Sequence, residues 1–498
     1  MKQEQQLTDK GRLIDMKKWI YMSFIVLTII LYVANINGGY FNDDFTMFFP
    51  KGEINIFSLF YSINPYEPSV YRPLAGIYNG IVQYFFGTNA FLIHLMNILL
   101  HGIISCVIYN GIIRLNMNKQ AAIIGSLLFI IAQSTVTVTL RNCTMTQQLS
   151  CLFNLLFIYV LVFSEKPKIK RYLILCSLYV LGLLSKETGL ATLPTAMVLI
   201  FIMSRYRGSS FANGIKNAVF QTMPYIILTG AYFVLRLFMG LPFSLEGRAT
   251  FSMGLNVVKN LAMLIFSNIN HFSSTDVFYA LVSRNYAMLS IVVFVNVAVA
   301  AFVFYGVIKV KRVKIALVLI LLMVISYFPT VLMHHVSEVY GYNAMPFLCI
   351  MYAIGLDYWL NRSKNNKKSV CLAVLSIIIL LNVVSLERKA MLLNNNANTA
   401  QNLIAQLQVI LKEQPPGTQV FLINTEKDEL RYSYGNFHMT AAETLQYADI
   451  RSFLYFLGRN DVSFIYNRDN DITTIPSGEN IIPLTVIKGN LVPYVLNP

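Results

Sequence analysis

Two adjacent carboxylates, Asp43 and Asp44, have the residue type and spacing for acid–base chemistry. They lie in the string Tyr-Phe-Asn-Asp-Asp-Phe, just after the first apolar run of the chain. One acid of such a pair can act as a general base while the other orients it. Asn-Asp-Asp is equally suited to a turn or a helix N-cap, so both interpretations stay open.

Arg72 and a histidine-containing helix follow the acid pair. Arg72 precedes Pro73, and its planar guanidinium suits a phosphate oxygen, although an arginine at the membrane interface can also simply snorkel. His94, Asn97 and His101 are spaced by three and four residues and therefore share one helical face. Polar groups within a membrane span usually face the bundle, so packing explains this face at least as well as a site.

Charged and histidine residues also interrupt two later apolar stretches. Lys186 and Glu187 are adjacent, and they could bind a lipid phosphate or form an ordinary surface ion pair. His334 and His335 open the segment 334–346, but adjacent histidines point apart on regular elements and no third ligand is close. We therefore assign no metal ligand and no cofactor, and a divalent metal ion stays as an unsupported alternative.

The amino-acid composition indicates what kind of protein positions these residues. Hydrophobic residues make up 56% and charged residues 13% of 498 residues, and mean hydropathy is +0.56. Soluble proteins average about 25% charged residues, so the apolar surface requires lipid. The six cysteines show no paired spacing, which argues against a disulfide framework or a zinc site. Nucleotide-binding and zinc-protease motifs are missing from the sequence.

Apolar runs and charge asymmetry predict a polytopic α-helical membrane protein with about eleven transmembrane helices. Of the 39 Lys and Arg residues, 22 lie on the side of the basic leader (residues 1–18) and 8 lie opposite, before the tail. The positive-inside rule then places the leader in the cytoplasm of a multi-pass plasma (inner) membrane protein. The net charge of +15 is thus explained by basic residues that orient the protein in the membrane, and we expect no nucleic acid partner. The predicted runs are 19–38, 89–113, 120–140, 147–164, 171–184, 190–204, 218–240, 286–307, 314–333, 342–360 and 369–386.

The membrane domain is expected to cover residues 19–386, with long external loops at 39–88 and 241–285. Within these loops, 74–86 and 255–266 have helical apolar spacing and could lie along the membrane surface or pack on the bundle.

Residues 387–498 are more polar and predict a small external C-terminal α/β domain. The expected elements are an Asn-rich opening stretch, a helix near 398–412 and a strand at 419–423.

Taken together, these strings resemble the membrane glycosyltransferases of the GT-C fold, especially the protein O-mannosyltransferase-like group. The resemblance covers roughly residues 20–350, and the tail lies outside it. The matching strings, in order, are Phe41-Asn-Asp43-Asp44, Tyr71-Arg72-Pro73-Leu74, the stretch 86–101 containing His94 and His101, Leu184-Ser185-Lys186-Glu187, Leu235-Arg236-Leu237, and Glu338-Val-Tyr340-Gly-Tyr342-Asn-Ala-Met-Pro346.

This resemblance implies a polyprenyl-phosphate sugar as donor, transfer on the external face and, typically, inversion. Asp43 or Asp44 would then take the proton of the acceptor hydroxyl. The phosphate would be bound by Arg72, Lys186 and Arg236. The residues implied to orient these cations or to contact the sugar are Glu187, Glu338, Tyr340, Tyr342 and His94.

Two departures separate the chain from this family. Residues 133–142 lack a histidine and an acidic residue that the family often has, and Val339 stands where an arginine is common. A glycan or lipid acceptor is therefore favoured over a protein acceptor. A surface-polysaccharide polymerase or ligase, a lipid-linked glycan transporter or flippase, and an inactive relative that assists assembly remain as alternatives.

Overall fold

The computed structural model describes most of the chain as helix. The described residues are 2–33, 37–48, 57–60, 70–241, 253–334, 336–361, 365–425, 437–446, 448, 456–467 and 480–494. The helices are α1 (Lys2–Tyr32), α2 (Asp44–Phe48), α3 (Pro73–Phe86), α4 (Ala90–Arg114), α5 (Lys119–Ile131), α6 (Val136–Leu140), α7 (Met145–Phe163), α8 (Lys168–Ser185), α9 (Thr192–Tyr206), α10 (Phe211–Phe238), α11 (Leu255–Ile269), α12 (Ser274–Val282), α13 (Tyr286–Lys309), α14 (Val313–Ile325), α15 (Met345–Asn361) and α16 (Asn365–Leu411).

The helices confirm a multi-pass membrane protein, but they do not confirm the count of eleven spans. Within the described residues, six helices are long and apolar enough to cross a membrane, or seven if one bent pair is a single span. That pair joins Lys119–Ile131 to Gln133–Leu140 with a bend of 48°. The predicted loop helices at 74–86 and 255–266 are present as α3 and α11.

Polar side chains at the connections define where the long helices begin. The side chains of Asn89, Asn118, Ser210 and Asn285 accept hydrogen bonds from the first turns of α4, α5, α10 and α13. These caps satisfy main-chain N–H groups that have no partner within the helix.

The segments that connect the helices are short at one end of the bundle and longer at the other. Short connections join antiparallel neighbours, so we assign residues 115–118, 164–167, 207–210 and 310–312, which join consecutive helices, to one end of the bundle. We call the opposite end the loop end. It carries the longer segments 37–48, 132–144, 186–191 and 326–344.

The C-terminal part of the chain is built on one long helix and a sheet. α16 has 47 residues, which corresponds to about 70 Å. It runs continuously through the Asn-rich stretch, so the helix predicted near 398–412 is the end of a longer element. Four strands, β1 (Gln419–Ile423), β2 (Ser463–Asn467), β3 (Ile481–Ile487) and β4 (Asn490–Pro493), pair in the order β2-β1-β3-β4.

β1 is parallel to both β2 and β3, while β3 and β4 are antiparallel. The strand predicted at 419–423 is therefore confirmed as a central strand of this sheet.

Candidate active site

The structure separates the two acids of the predicted pair. Asp44 begins α2 and is fully buried. Its Oδ1 accepts a hydrogen bond from the main-chain N–H of Cys143 at 2.9 Å, and its Oδ2 accepts one from Phe41 at 3.4 Å. Burial raises the pKa of Asp44, although the charge of Arg141 opposes the rise. Asp44 therefore anchors the loop to the segment before α7.

Asp43 is the exposed member of the pair. Its side chain is 42% exposed, and its Oδ2 accepts a hydrogen bond from Arg141 Nη2 at 3.2 Å. The guanidinium of Arg141 is almost fully buried and lies 5.2 Å from the ring centroid of Phe41. The main-chain carbonyl of Arg141 accepts from Asn97 Nδ2 at 3.0 Å. Asp43 is thus a solvent-accessible carboxylate with a fixed orientation.

Arg72, Glu187 and Arg236 meet at the loop end, and we call them the open cluster. Arg72 Nε and Nη2 donate to Glu187 Oε2 at 3.0 and 2.9 Å, while Arg236 Nη1 lies 3.7 Å from Glu187 Oε1. The side chains of Arg72 and Glu187 are 16% and 23% exposed. Tyr71 precedes Arg72, and Tyr232 lies one turn before Arg236 on α10. The rings of these two tyrosines pack with centroids 5.6 Å apart.

Lys186 and Tyr340 lie close together although they belong to distant segments of the chain. Lys186 follows the last residue of α8, and its ammonium lies 5.7 Å from the ring centroid of Tyr340. This contact brings the segment between α14 and α15 to the residue that precedes Glu187. The predicted grouping of Lys186, Glu187, Arg72, Arg236 and Tyr340 at one end of the bundle is therefore present.

α7 connects the open cluster to the acid pair. The helix begins at Met145, shortly after Arg141, and Ser150 Oγ on it lies 3.0 Å from Thr188 Oγ1. Thr188 is the neighbour of Glu187. Asp43 and the open cluster therefore lie near the same first turns of α7.

Glu338 lies in a different environment from the open cluster. Its Oε1 is 2.6 Å from Lys389 Nζ, and its Oε2 accepts from Ser274 Oγ at 2.6 Å. Lys389 also donates to the main-chain carbonyl of Gln133 at 3.0 Å. Glu338 and Lys389 are both 0% exposed. We call Glu338, Lys389, Ser274 and Gln133 the sealed cluster, because all four residues are buried.

Tyr342 and His94 are likewise buried rather than open to the site. The hydroxyl of Tyr342 is 2.7 Å from His101 Nδ1, and His94 Nε2 donates to the carbonyl of Gly38 at 3.0 Å. Both contacts join segments of the loop end to α4.

His334 is exposed, and His335 lies outside the described residues. The described part of the chain contains no group of three or more side chains that could hold a metal ion.

Sequence reasoning missed Arg141, Lys389 and Asn42. Arg141 is the only Lys or Arg between residues 120 and 165, and that isolation within apolar sequence is a signal that could have identified it. Lys389 lies just past the expected start of the tail. Asn42 looked like one residue of a turn, whereas its partners lie about 400 positions away.

Residues 72–233 match the family model described as dolichyl-phosphate-mannose-protein mannosyltransferase. This range contains Arg72, Arg141, Lys186 and Glu187. The structure is also similar to apo ArnT from Cupriavidus metallidurans, with a TM-score of 0.51, 10% identity, and coverage of 91% of this chain and 87% of ArnT. The chain has the GT-C fold. The predicted fold class and the predicted family resemblance are therefore confirmed.

Two further solved structures are similar at lower scores. ArnT from Cupriavidus metallidurans bound to undecaprenyl phosphate gives a TM-score of 0.48 at 10% identity, covering 91% of this chain and 86% of that one. The Archaeoglobus fulgidus oligosaccharyltransferase in complex with zinc and sulfate gives 0.46 at 11% identity, covering 81% and 60%. No curated protein sequence matches the chain.

Proposed function

We propose that this GT-C protein transfers a sugar from a polyprenyl-phosphate donor to an acceptor on the external face of the plasma membrane. The observation that carries the proposal is the position of one exposed, oriented carboxylate, Asp43, at the same end of the bundle as a cluster of buried and half-buried arginines. A general base and a phosphate-binding group are the two parts that such a reaction requires.

Asp43 is the base in this proposal. Its carboxylate takes the proton of an acceptor hydroxyl while the hydroxyl oxygen attacks the anomeric carbon of the donor. The bond between that carbon and the phosphate oxygen breaks, and its electron pair leaves with the polyprenyl phosphate. A single displacement of this kind inverts the anomeric centre. Asp44 holds the loop and does not touch the substrate.

The open cluster and Lys186 bind the donor phosphate. Bidentate guanidinium groups match phosphate geometry, and Glu187 holds Arg72 and Arg236 in place. Tyr340 orients the ammonium of Lys186 through its ring face. The phosphate that leaves gains negative charge, so these cations stabilise the transition state as well as the product. The proposed reaction uses these side chains and assigns no cofactor.

The donor class is supported by the family model that residues 72–233 match, which is described as dolichyl-phosphate-mannose-protein mannosyltransferase. The acceptor is a glycan, a lipid or a protein. The charge asymmetry supports a cytoplasmic N-terminus and an external tail, which puts the loop end outside.

Replacing the two acids separately tests the proposal. The full chain is reconstituted in proteoliposomes with a panel of radiolabelled polyprenyl-phosphate hexoses and pentoses and with a glycan and lipid extract as acceptor. Asp43→Asn should lower transfer about 10²- to 10⁴-fold, the usual contribution of a general base. Asp44→Asn is the matched control. It keeps the acceptor for the N–H of Cys143, so transfer should stay within about tenfold of the wild type.

Equal transfer by wild type and Asp43→Asn, with both folded, would overturn the assignment of the base. Transfer only from lipid-diphosphate glycans would favour a polymerase or ligase. Movement of a lipid-linked glycan that survives the Asp43 change, without any transfer, would favour a flippase.

A further inference from the structure

The residue before the proposed base is held by the C-terminal tail. The main-chain N–H of Asn42 donates to the carbonyl of Thr444 at 2.7 Å, and its Nδ2 donates to the carbonyl of Glu443 at 3.2 Å. Asn42 is 3% exposed and has a φ of 54°. Asparagine tolerates this left-handed conformation better than most residues, and here both of its donors are used on the tail.

The tail segment that accepts these hydrogen bonds is itself fixed. Thr440 and Glu443 form a capping box: the N–H of Thr440 donates to Glu443 Oε2 at 3.2 Å, and the N–H of Glu443 donates to Thr440 Oγ1 at 3.3 Å. Asn424, just after β1, donates from Nδ2 to Thr440 Oγ1 at 3.1 Å. The carbonyls that hold Asn42 are therefore anchored to the sheet.

Aromatic packing extends the contact to both sides of the acid pair. The ring centroids of Tyr40 and Phe45 lie 6.1 and 6.2 Å from that of Phe456 in the tail. α16 runs from the membrane domain into the tail, and Asn396 Nδ2 on this helix donates to the carbonyl of Phe437 at 3.0 Å. The loop that carries Asp43 is therefore held by a part of the tail that is joined to the membrane domain through α16.

The three consecutive residues of this loop have different environments. Asn42 is bound to the tail, Asp44 is bound to the N–H of Cys143, and Asp43 between them carries the exposed carboxylate. A rotation at Asn42 would turn the carboxylate of Asp43 away from Arg141. The direction in which Asp43 points therefore depends on tail residues.

We propose that tail residues 440–446 set the orientation of the Asp43 carboxylate and that Asn42 is a positioning residue for sugar transfer. This inference rests on the proposed function, because it gives the tail a role in the action of the same base. It deepens that function by making the tail part of the machinery rather than a separate binding module.

A double-mutant cycle between Asn42 and Asp43 tests the inference. Asn42→Asp keeps a residue that accepts the left-handed conformation, but it replaces the donor to Glu443 with an acceptor. In the wild-type background it should lower kcat about 10- to 100-fold and leave the donor KM within twofold, since small misplacements of a catalytic group have effects of that size. In the Asp43→Asn background it should cost less than twofold, because there is no base left to orient.

Variants on the tail side provide the second measurement. Thr440→Ala with Glu443→Ala removes the capping box, while Glu443→Gln can still form it and serves as the conservative control. The double variant should speed hydrogen–deuterium exchange of the Asn42 amide more than tenfold and lower kcat like Asn42→Asp. Glu443→Gln should retain more than half of wild-type kcat and protection.

The two proposals fail in distinguishable ways. If Asp43→Asn leaves transfer unchanged, the proposed function is wrong. If Asp43→Asn abolishes most transfer but Asn42→Asp costs the same factor in both backgrounds, the function stands and the positioning role is overturned. Unchanged exchange at Asn42 in the capping-box variant would also overturn that role.

Discussion

The open and sealed clusters are built from the same kinds of side chains but have different surroundings. Each contains a glutamate from a short 3₁₀ helix at the loop end, Glu187 in one and Glu338 in the other. Each glutamate forms an ion pair with a cationic side chain. Glu187 is 23% exposed and faces two guanidinium groups, whereas Glu338 is 0% exposed and faces one ammonium.

In the proposed function, this difference separates a phosphate-binding site from a structural contact. In the part of the chain that the structure describes, the open cluster sets two positive groups against one carboxylate, so an incoming phosphate meets favourable charge. The sealed cluster balances one charge with another away from solvent. Each glutamate is the only acidic residue in its sequence string, and only its exposure and its partners distinguish the two roles.

Removing the buried ammonium should have the largest effect on stability. Lys389→Met leaves the carboxylate of Glu338 buried without its cation, and breaking such a pair costs about 3–5 kcal/mol of unfolding free energy. The change would be measured as a lower melting temperature of the purified protein in detergent. Lys389→Met with Glu338→Gln should recover most of the loss. A single variant that melts like the wild type would contradict the sealed assignment.

Arg72→Gln should have the opposite profile, with a large effect on transfer and a small one on stability. The loss of a charge-assisted contact to phosphate is expected to cost about 1.5–3 kcal/mol, or roughly 10- to 100-fold in kcat/KM for the donor. The partly exposed pair itself contributes at most about 1 kcal/mol to folding.

Arg388→Gln is the matched control for Arg72→Gln. Arg388 is paired with Asp276 and is 61% exposed, so the same substitution should leave transfer unchanged. A similar loss in both variants would mean that the open cluster does not bind the donor.

The smallest expected effect is a dependence on pH in the surroundings of the sealed cluster. His271 is buried, its Nδ1 accepts from Asn382 Nδ2 at 2.9 Å, and burial lowers its pKa to about 4. Because the unfolded chain takes up this proton near pH 6.5, stability is fully present above that pH and falls as the pH drops toward 4. At pH 5.5 the loss should be on the order of 1 kcal/mol.

Melting temperatures between pH 7.5 and 5 would check this value. His271→Gln should flatten the decline relative to the wild type, whereas His334→Gln, at an exposed position, should not. Parallel curves for all three proteins would contradict the role of His271.

Local pattern in the sequence was enough to predict much of the fold. Apolar runs of helical length identify the long helices, and apolar spacing within the loops identifies α3 and α11. A short continuous run of apolar residues identifies β1. Each of these features depends on residues a few positions apart. The sequence predicts a helix that begins near residue 398, after the Asn-rich stretch, yet this stretch continues α16, where Asn396 donates to the carbonyl of Phe437.

The pairing of the site residues could not be predicted in the same way. Arg72 and Glu187 are 115 positions apart, and Arg141 and Asp43 are 98 apart. The types of these residues indicated phosphate and proton chemistry, but their partners depend on how helices pack. The sequence therefore favoured a site at the loop end of the bundle, without separating Asp43 from Asp44, or Glu187 from Glu338.

The hydrogen bond from Asn42 to Glu443 spans 401 positions, and this separation has a consequence for biosynthesis. At about 5–20 residues per second, a ribosome needs about 20–80 s to travel from the first of these residues to the second. During that interval the spans can insert and pack, but the loop that carries Asp43 lacks the carbonyls that hold it. Under the proposed role of residues 440–446, a nascent chain should transfer sugar about 10- to 100-fold more slowly until these residues have been made and have folded.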